Sequence, residues 1–167
     1  YDNTKALIDF AKGSHVIDTT LADNASELAR VVKCMDDVFS RQEYVLDSLI
    51  VKASCSPEGS YAHNSRLAAA RSESIRQHIW EYIPEQWRDS VRTSHVPENW
   101  EQFRLIVAND SILEEPVRKK VLQHTDDLGR PDEVERRLSE MPQYRYLREQ
   151  IYPQLRSVSF DFHLHRA

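Results

Sequence analysis

Glycine is scarce in this sequence: Gly13, Gly59 and Gly129 are all it has in 167 positions, where average usage would give roughly twelve. A phosphate-cradling loop or a dinucleotide fingerprint needs two or three glycines within about eight residues, so neither can be built here. Cysteine is scarce as well. Cys34 and Cys55 are too few for a disulfide framework and lack the C-x-x-C spacing of zinc or redox sites. They read as small buried hydrophobes, with one disulfide between them as the lesser alternative. No apolar run approaches the roughly 18 residues of a membrane span, so no direct span is expected. There is no excess of basic charge either: 22 Lys and Arg against 27 Asp and Glu leave a net charge of −5, and a nucleic-acid or anionic-lipid partner loses its electrostatic footprint. G-x-S-x-G, H-E-x-x-H and cysteine–histidine signatures are missing, so the chain is read as non-enzymatic, without cofactor or metal. It opens at Tyr1 with no methionine and no charged-then-apolar leader, as a mature product or an excised domain would.

What is present is a pattern of strands and helices at a length suited to one domain, residues 1–167. Residues 5–10 are short and apolar enough to open with a strand. Asn24 followed by Glu27 resembles a capping box, and Leu28, Val31, Val32, Met35, Val38 and Phe39 recur at helical spacing behind it. Residues 45–53, V-L-D-S-L-I-V-K-A, are β-branched and apolar on both parities, as in a central strand. A turn built on Pro57 and Gly59 leads to a second long helix over about 64–83, ending before Pro84. Residues 90–96 form a weaker strand. In the last strand Val158, Phe160, Phe162 and Leu164 take one parity and Ser157, Ser159, Asp161, His163 and His165 the other, which predicts one buried face. Between these two strands, residues 97–155 carry helical patterns only. The fold class is therefore α+β, a mixed sheet with helices packed on it and a helical insertion before the final strand.

The second helix carries the functional signal. At about 100° per residue, with Leu67 at 0°, Ile75, Ile79 and Ile83 fall at about 80°, 120° and 160° and define an apolar stripe. Arg71 at about 40° and Asn64 at about 60° lie inside that stripe, directly after the Pro57–Gly59 turn. Two readings of Arg71 are open. Its stem could lie along the core edge with the guanidinium in water, or packing could hold its fork toward a carboxylate in a cleft beside the loop at 54–60.

Ser56, Pro57, Glu58 and Gly59, followed by Asn64, Leu67 and Arg71, resemble the OmpA-like C-terminal domain, a β-α-β-α-β module of the bacterial envelope. The family pattern is a strand ending in T-D, two residues, a glycine, then N-x-x-L-S-x-x-R-A at a helix start; Gly59, Asn64, Leu67 and Arg71 keep its spacing. The resemblance implies the cell envelope of a Gram-negative bacterium, in the periplasm or at the outer membrane. It also implies a cleft in which an Asp and the helix Arg grip the zwitterionic end of diaminopimelate. Here Ser56 stands at the Asp position. A hydrogen bond to a charged group is worth about 1.5–3 kcal/mol, so that exchange weakens ammonium binding about ten- to a hundredfold. The expected function is a binding or anchoring module with a degenerate peptidoglycan site; the alternative is an assembly domain of a surface- or fimbria-associated protein. A peptidoglycan stem peptide and an envelope or surface protein are the corresponding partners. Within the site, Arg71 receives an anionic group, Asn64 orders the loop or adds an amide hydrogen bond, and Ser56 offers a neutral contact. Glu58, the only acid in the loop, is a solvated turn residue or the partner of Arg71, with replacement of the missing acid as the lesser alternative, and Gly59 closes the turn.

Other clusters have plainer readings. His163 and His165 share a strand face without a third ligand nearby and read as exposed terminal histidines. Asp126, Asp127 and Asp132 around Gly129 lack calcium-loop spacing, and Asp132 with Glu133 behind Pro131 suits a helix start. Arg118, Lys119 and Lys120 read as a solvated face.

Overall fold

The computed structural model describes residues 2–11 and 13–167. Strand β1 (Asp2–Ala6) is followed by helix α1 (Asn24–Phe39), strand β2 (Tyr44–Ser54), helix α2 (Tyr61–Ile79) and strand β3 (Val91–Val96). Then come helices α3 (Trp100–Ala108), α4 (Glu115–His124) and α5 (Pro131–Ser139), a last helical stretch over residues 144–155, and strand β4 (Val158–Arg166). The sheet has the order β1-β4-β2-β3. β4 runs antiparallel to both β1 and β2, and β2 runs parallel to β3. The fold is α+β with a mixed sheet, as the periodicities indicate. β2 is a central strand, and every strand of the sheet except β1 lies within a residue or two of its predicted place.

Both long helices lie on one face of the sheet. Leu28, Val31 and Met35 of α1 and Ile75 and Ile79 of α2 close a core on Leu49, Val51, Phe160 and Phe162. A second core lies within the insertion, where Phe103, Val121, Leu138, Leu147 and Tyr152 are fully buried. Its rings meet edge-on, Trp100 on Phe103 at 5.4 Å and Phe103 on Tyr152 at 5.8 Å between centroids, the favoured aromatic arrangement.

Five local expectations need correction. β1 ends at Ala6, and the Ile8-Asp9-Phe10 stretch leaves the sheet although Ile8 stays buried. A segment leaving a sheet must find other partners for its backbone, and Asn24 supplies them. The Asp9 N–H donates to Asn24 Oδ1 at 2.9 Å, and Asn24 Nδ2 donates to the carbonyls of Asp9 and Asp18 at 2.8 and 2.9 Å. Asn24 is thus a loop tie, and Glu27 pairs with Arg30 at 2.7 Å instead of closing a capping box. Ser157 and Ser159, on the polar parity of β4, are buried as well, because that end of the strand lies beside the insertion; Ser54 donates to the Ser157 carbonyl at 3.3 Å. Both cysteines are free thiols, Cys55 buried and Cys34 only partly so. α2 also begins at Tyr61 and gives way at Trp80 to a 3-10 turn, earlier at both ends than its apolar pattern indicates.

Candidate ligand cleft

All five residues singled out in the sequence, Ser56, Glu58, Gly59, Asn64 and Arg71, line one cleft of about 380 Å³. Local geometry brings them there. β2 ends at Ser54, the chain turns through Pro57 and Gly59, and Ser60 caps α2 by accepting the His63 N–H at 3.1 Å. Gly59 has φ +82°, and a Cβ there would meet Asn64 Oδ1 only at 3.6 Å. The turn therefore selects glycine for its left-handed backbone and not for lack of room.

Arg71 is 7% exposed, which rules out the reading with its guanidinium in water. Its Nε donates to the Ser14 carbonyl at 3.0 Å, its Nη1 approaches Cys55 Sγ at 3.6 Å, and its guanidinium carbon lies 4.6 Å from the centre of the Phe10 ring. Neither a carboxylate nor any partner for Nη2 occurs among the described residues. Burial, with Arg156 adding to it, lowers the Arg71 pKa from its usual value; burial likewise pushes the Cys55 thiol up. A buried cation without an anion is costly to maintain.

Glu58 does not pair with Arg71. Its Oε1 accepts from Arg156 Nη2 at 3.2 Å, and Arg156 Nε donates to Ser56 Oγ at 3.3 Å. A second guanidinium therefore occupies the Ser56 hydroxyl. Asn64, 3% exposed, uses its amide to tie the loop: Nδ2 donates to the Ser56 carbonyl at 3.3 Å and to Glu98 Oε2 at 2.8 Å. Of its two expected roles, ordering the loop is the one its amide donor performs.

Glu98 and Arg156 were not among the expected site residues. Glu98 is buried, accepts from Asn64 and from Trp100 Nε1 at 3.0 Å, and burial raises its pKa. The insertion reaches α2 a second time through Asp132, whose Oδ1 accepts the Tyr61 N–H at 2.7 Å. Asp132 thus caps the helix of the cleft as well as sitting in the first turn of its own helix.

A larger groove of about 930 Å³ lies on the opposite face of the sheet, against the start of the insertion. Its charges are mixed, Lys5 and Lys52 against Glu98, Glu101 and Asp161. The Ser159 hydroxyl there is buried without a partner among the described residues, a neutral group whose unmade bond costs about 1–3 kcal/mol. In the smaller cleft, by contrast, a buried cation, Arg71, has no carboxylate partner among the described residues. Elsewhere, His165 bonds Asp47 at 2.6 Å, and Lys119 pairs with Glu115 at 3.1 Å. Arg118 departs from the solvated-face reading by donating to the carbonyls of Asp110 and Leu113. Among the described residues no group of three His, Cys, Asp or Glu side chains converges as metal ligands, and no helix is long and apolar enough to cross a membrane. The chain matches no family model and no curated protein.

Proposed function

We propose that this domain is a non-catalytic recognition module of the Gram-negative cell envelope, associated with the periplasm or outer membrane, that seats an anionic group of an envelope or surface protein on Arg71. One observation carries the reading: a guanidinium 7% exposed, lining an open cleft, with no carboxylate partner among the described residues. The OmpA-like spacing of Gly59, Asn64, Leu67 and Arg71 supplies the envelope setting. Cys55 is the cleft's nucleophile by type, but burial holds its thiol protonated, which favours binding over catalysis.

A peptidoglycan stem peptide is the competing ligand, and Arg156 weighs against it. Diaminopimelate would bring an ammonium to Ser56, whose hydroxyl already accepts from Arg156. Co-sedimentation with purified sacculi separates the readings. The wild-type domain is expected to pellet no more than Arg71→Ala, whereas the double variant Ser56→Asp, Arg156→Ala, which supplies an acid and removes a cation, gains binding. Wild-type pelleting that Arg71→Ala abolishes would overturn the protein-partner reading in favour of anchoring.

A further inference from the structure

The charges of the cleft also specify the chemistry of its ligand. We infer that the cleft takes a carboxylate with no ammonium beside it, carried on a short apolar stem, the chemistry of a polypeptide's C-terminal residue. This rests on the reading of the cleft as a ligand site given above. Two guanidinium groups, Arg71 and Arg156, line the cavity against a single carboxylate, Glu58, and that carboxylate is already held by Arg156 at 3.2 Å. The three side chains leave one positive charge uncompensated, and Arg71 carries it, buried, with its Nη2 unpartnered among the described residues. A planar fork with a free N–H and a second guanidinium nearby is the donor set that carboxylates select.

The acceptors an ammonium would meet already serve other donors. Ser56 Oγ accepts from Arg156 Nε, Glu58 Oε1 from Arg156 Nη2, and Glu98, buried behind Asn64, from Asn64 and Trp100. A cation using them would lie against Arg156, whose like charge opposes it. The remaining walls suit a short hydrocarbon: Phe10 lies under the Arg71 guanidinium and Leu67 stands a turn before it on α2. At about 380 Å³ the cavity holds a residue-sized group and not a chain.

Titration of the full chain, followed by NMR at the arginine Nε–H groups and the Cys55 and Ser56 amides, tests this with three probes. N-acetylalanine carries the carboxylate alone, its amide carries none, and meso-diaminopimelate carries carboxylate and ammonium together. N-acetylalanine is expected to shift the Arg71 Nε–H saturably, its amide to shift nothing, and diaminopimelate to bind at least about tenfold more weakly. Arg156→Gln, which keeps a donor for Ser56, is expected to shrink that tenfold preference, and Arg71→Met to remove binding while the amide spectrum stays folded. Equal or tighter binding of diaminopimelate, or of the amide, overturns the ligand class but leaves the cleft a binding site. No shift at Arg71 with any probe overturns the binding-site reading itself.

Discussion

The sheet with α1 and α2 and the helical insertion differ in how they meet the rest of the molecule. Each closes an apolar cluster of its own, one around Leu49 and Phe160, the other around Phe103 and Leu138. Between them the connections are polar: Glu98 to Asn64, Asp132 to the Tyr61 N–H, and Arg156 to Ser56 and Glu58. The insertion is therefore less an extra layer of core than a supplier of charged groups to the loop after β2. A change in either core tests stability, whereas a change at the seam tests the cleft.

The largest effect expected is in the cores. Phe160→Ala is expected to lose about 3–5 kcal/mol and the sheet with it. Phe103→Ala is expected to lose a similar amount while the β-strand amides keep most of their hydrogen-exchange protection. Uniform loss of protection in both variants would mean that the two clusters unfold as one.

Within the insertion, Glu135 accepts from the Tyr144 and Tyr152 hydroxyls at 2.6 Å each, and burial raises its pKa to about 7. The native state then keeps a proton that the unfolded chain releases near pH 4.5. Stability from this group is complete below about pH 4.5 and is lost as pH rises through 7, up to about 3 kcal/mol by linkage. Urea midpoints at pH 5 and pH 7.5 should show that loss in the wild type and a flatter dependence in Glu135→Gln.

At the seam, Glu98→Ala removes the shorter of the two hydrogen bonds of the Asn64 amide and leaves the Trp100 indole N–H without its acceptor. The expected cost is about 1–3 kcal/mol, with resonance changes concentrated at residues 54–64; changes confined to the insertion would deny Glu98 its part in the cleft. Arg71→Met is expected to be the mildest. Removing an unpaired buried cation offsets the lost bond to Ser14, so stability should stay within about 1 kcal/mol although anion binding disappears. A loss of several kcal/mol would show that the guanidinium is structural.

Much of this was legible in the residues. The β-branched run at 45–53 and the alternation from Val158 to Leu164 betray strands because burial on a pleated sheet has a period of two. Arg71 and Asn64 stand out because they interrupt an apolar stripe. β1 was displaced because Ile8 is apolar for a reason other than strand pairing: it fills the core from a loop. Arg156 and Glu98 could not be found the same way. They lie about 100 and 34 positions from Ser56 and Asn64, and a lone charge beside a strand end has no period to betray it. What brings Arg156 to Ser56 is the pairing of Ala53 with Val158, a contact between distant segments.

The antiparallel pairing of β1 with β4 has an orientational consequence. Asp2 lies opposite Phe162, which lies opposite Leu49, so β1 begins about midway along β2, whereas β4 ends with Arg166 opposite Tyr44, at the pole away from the Ser56 turn. At about 3.3 Å per residue, the eleven residues of β2 separate the poles by roughly 35 Å. A tether attached behind β4, whether a linker or an immobilising handle on a sensor surface, would hold the domain with its cleft facing outward.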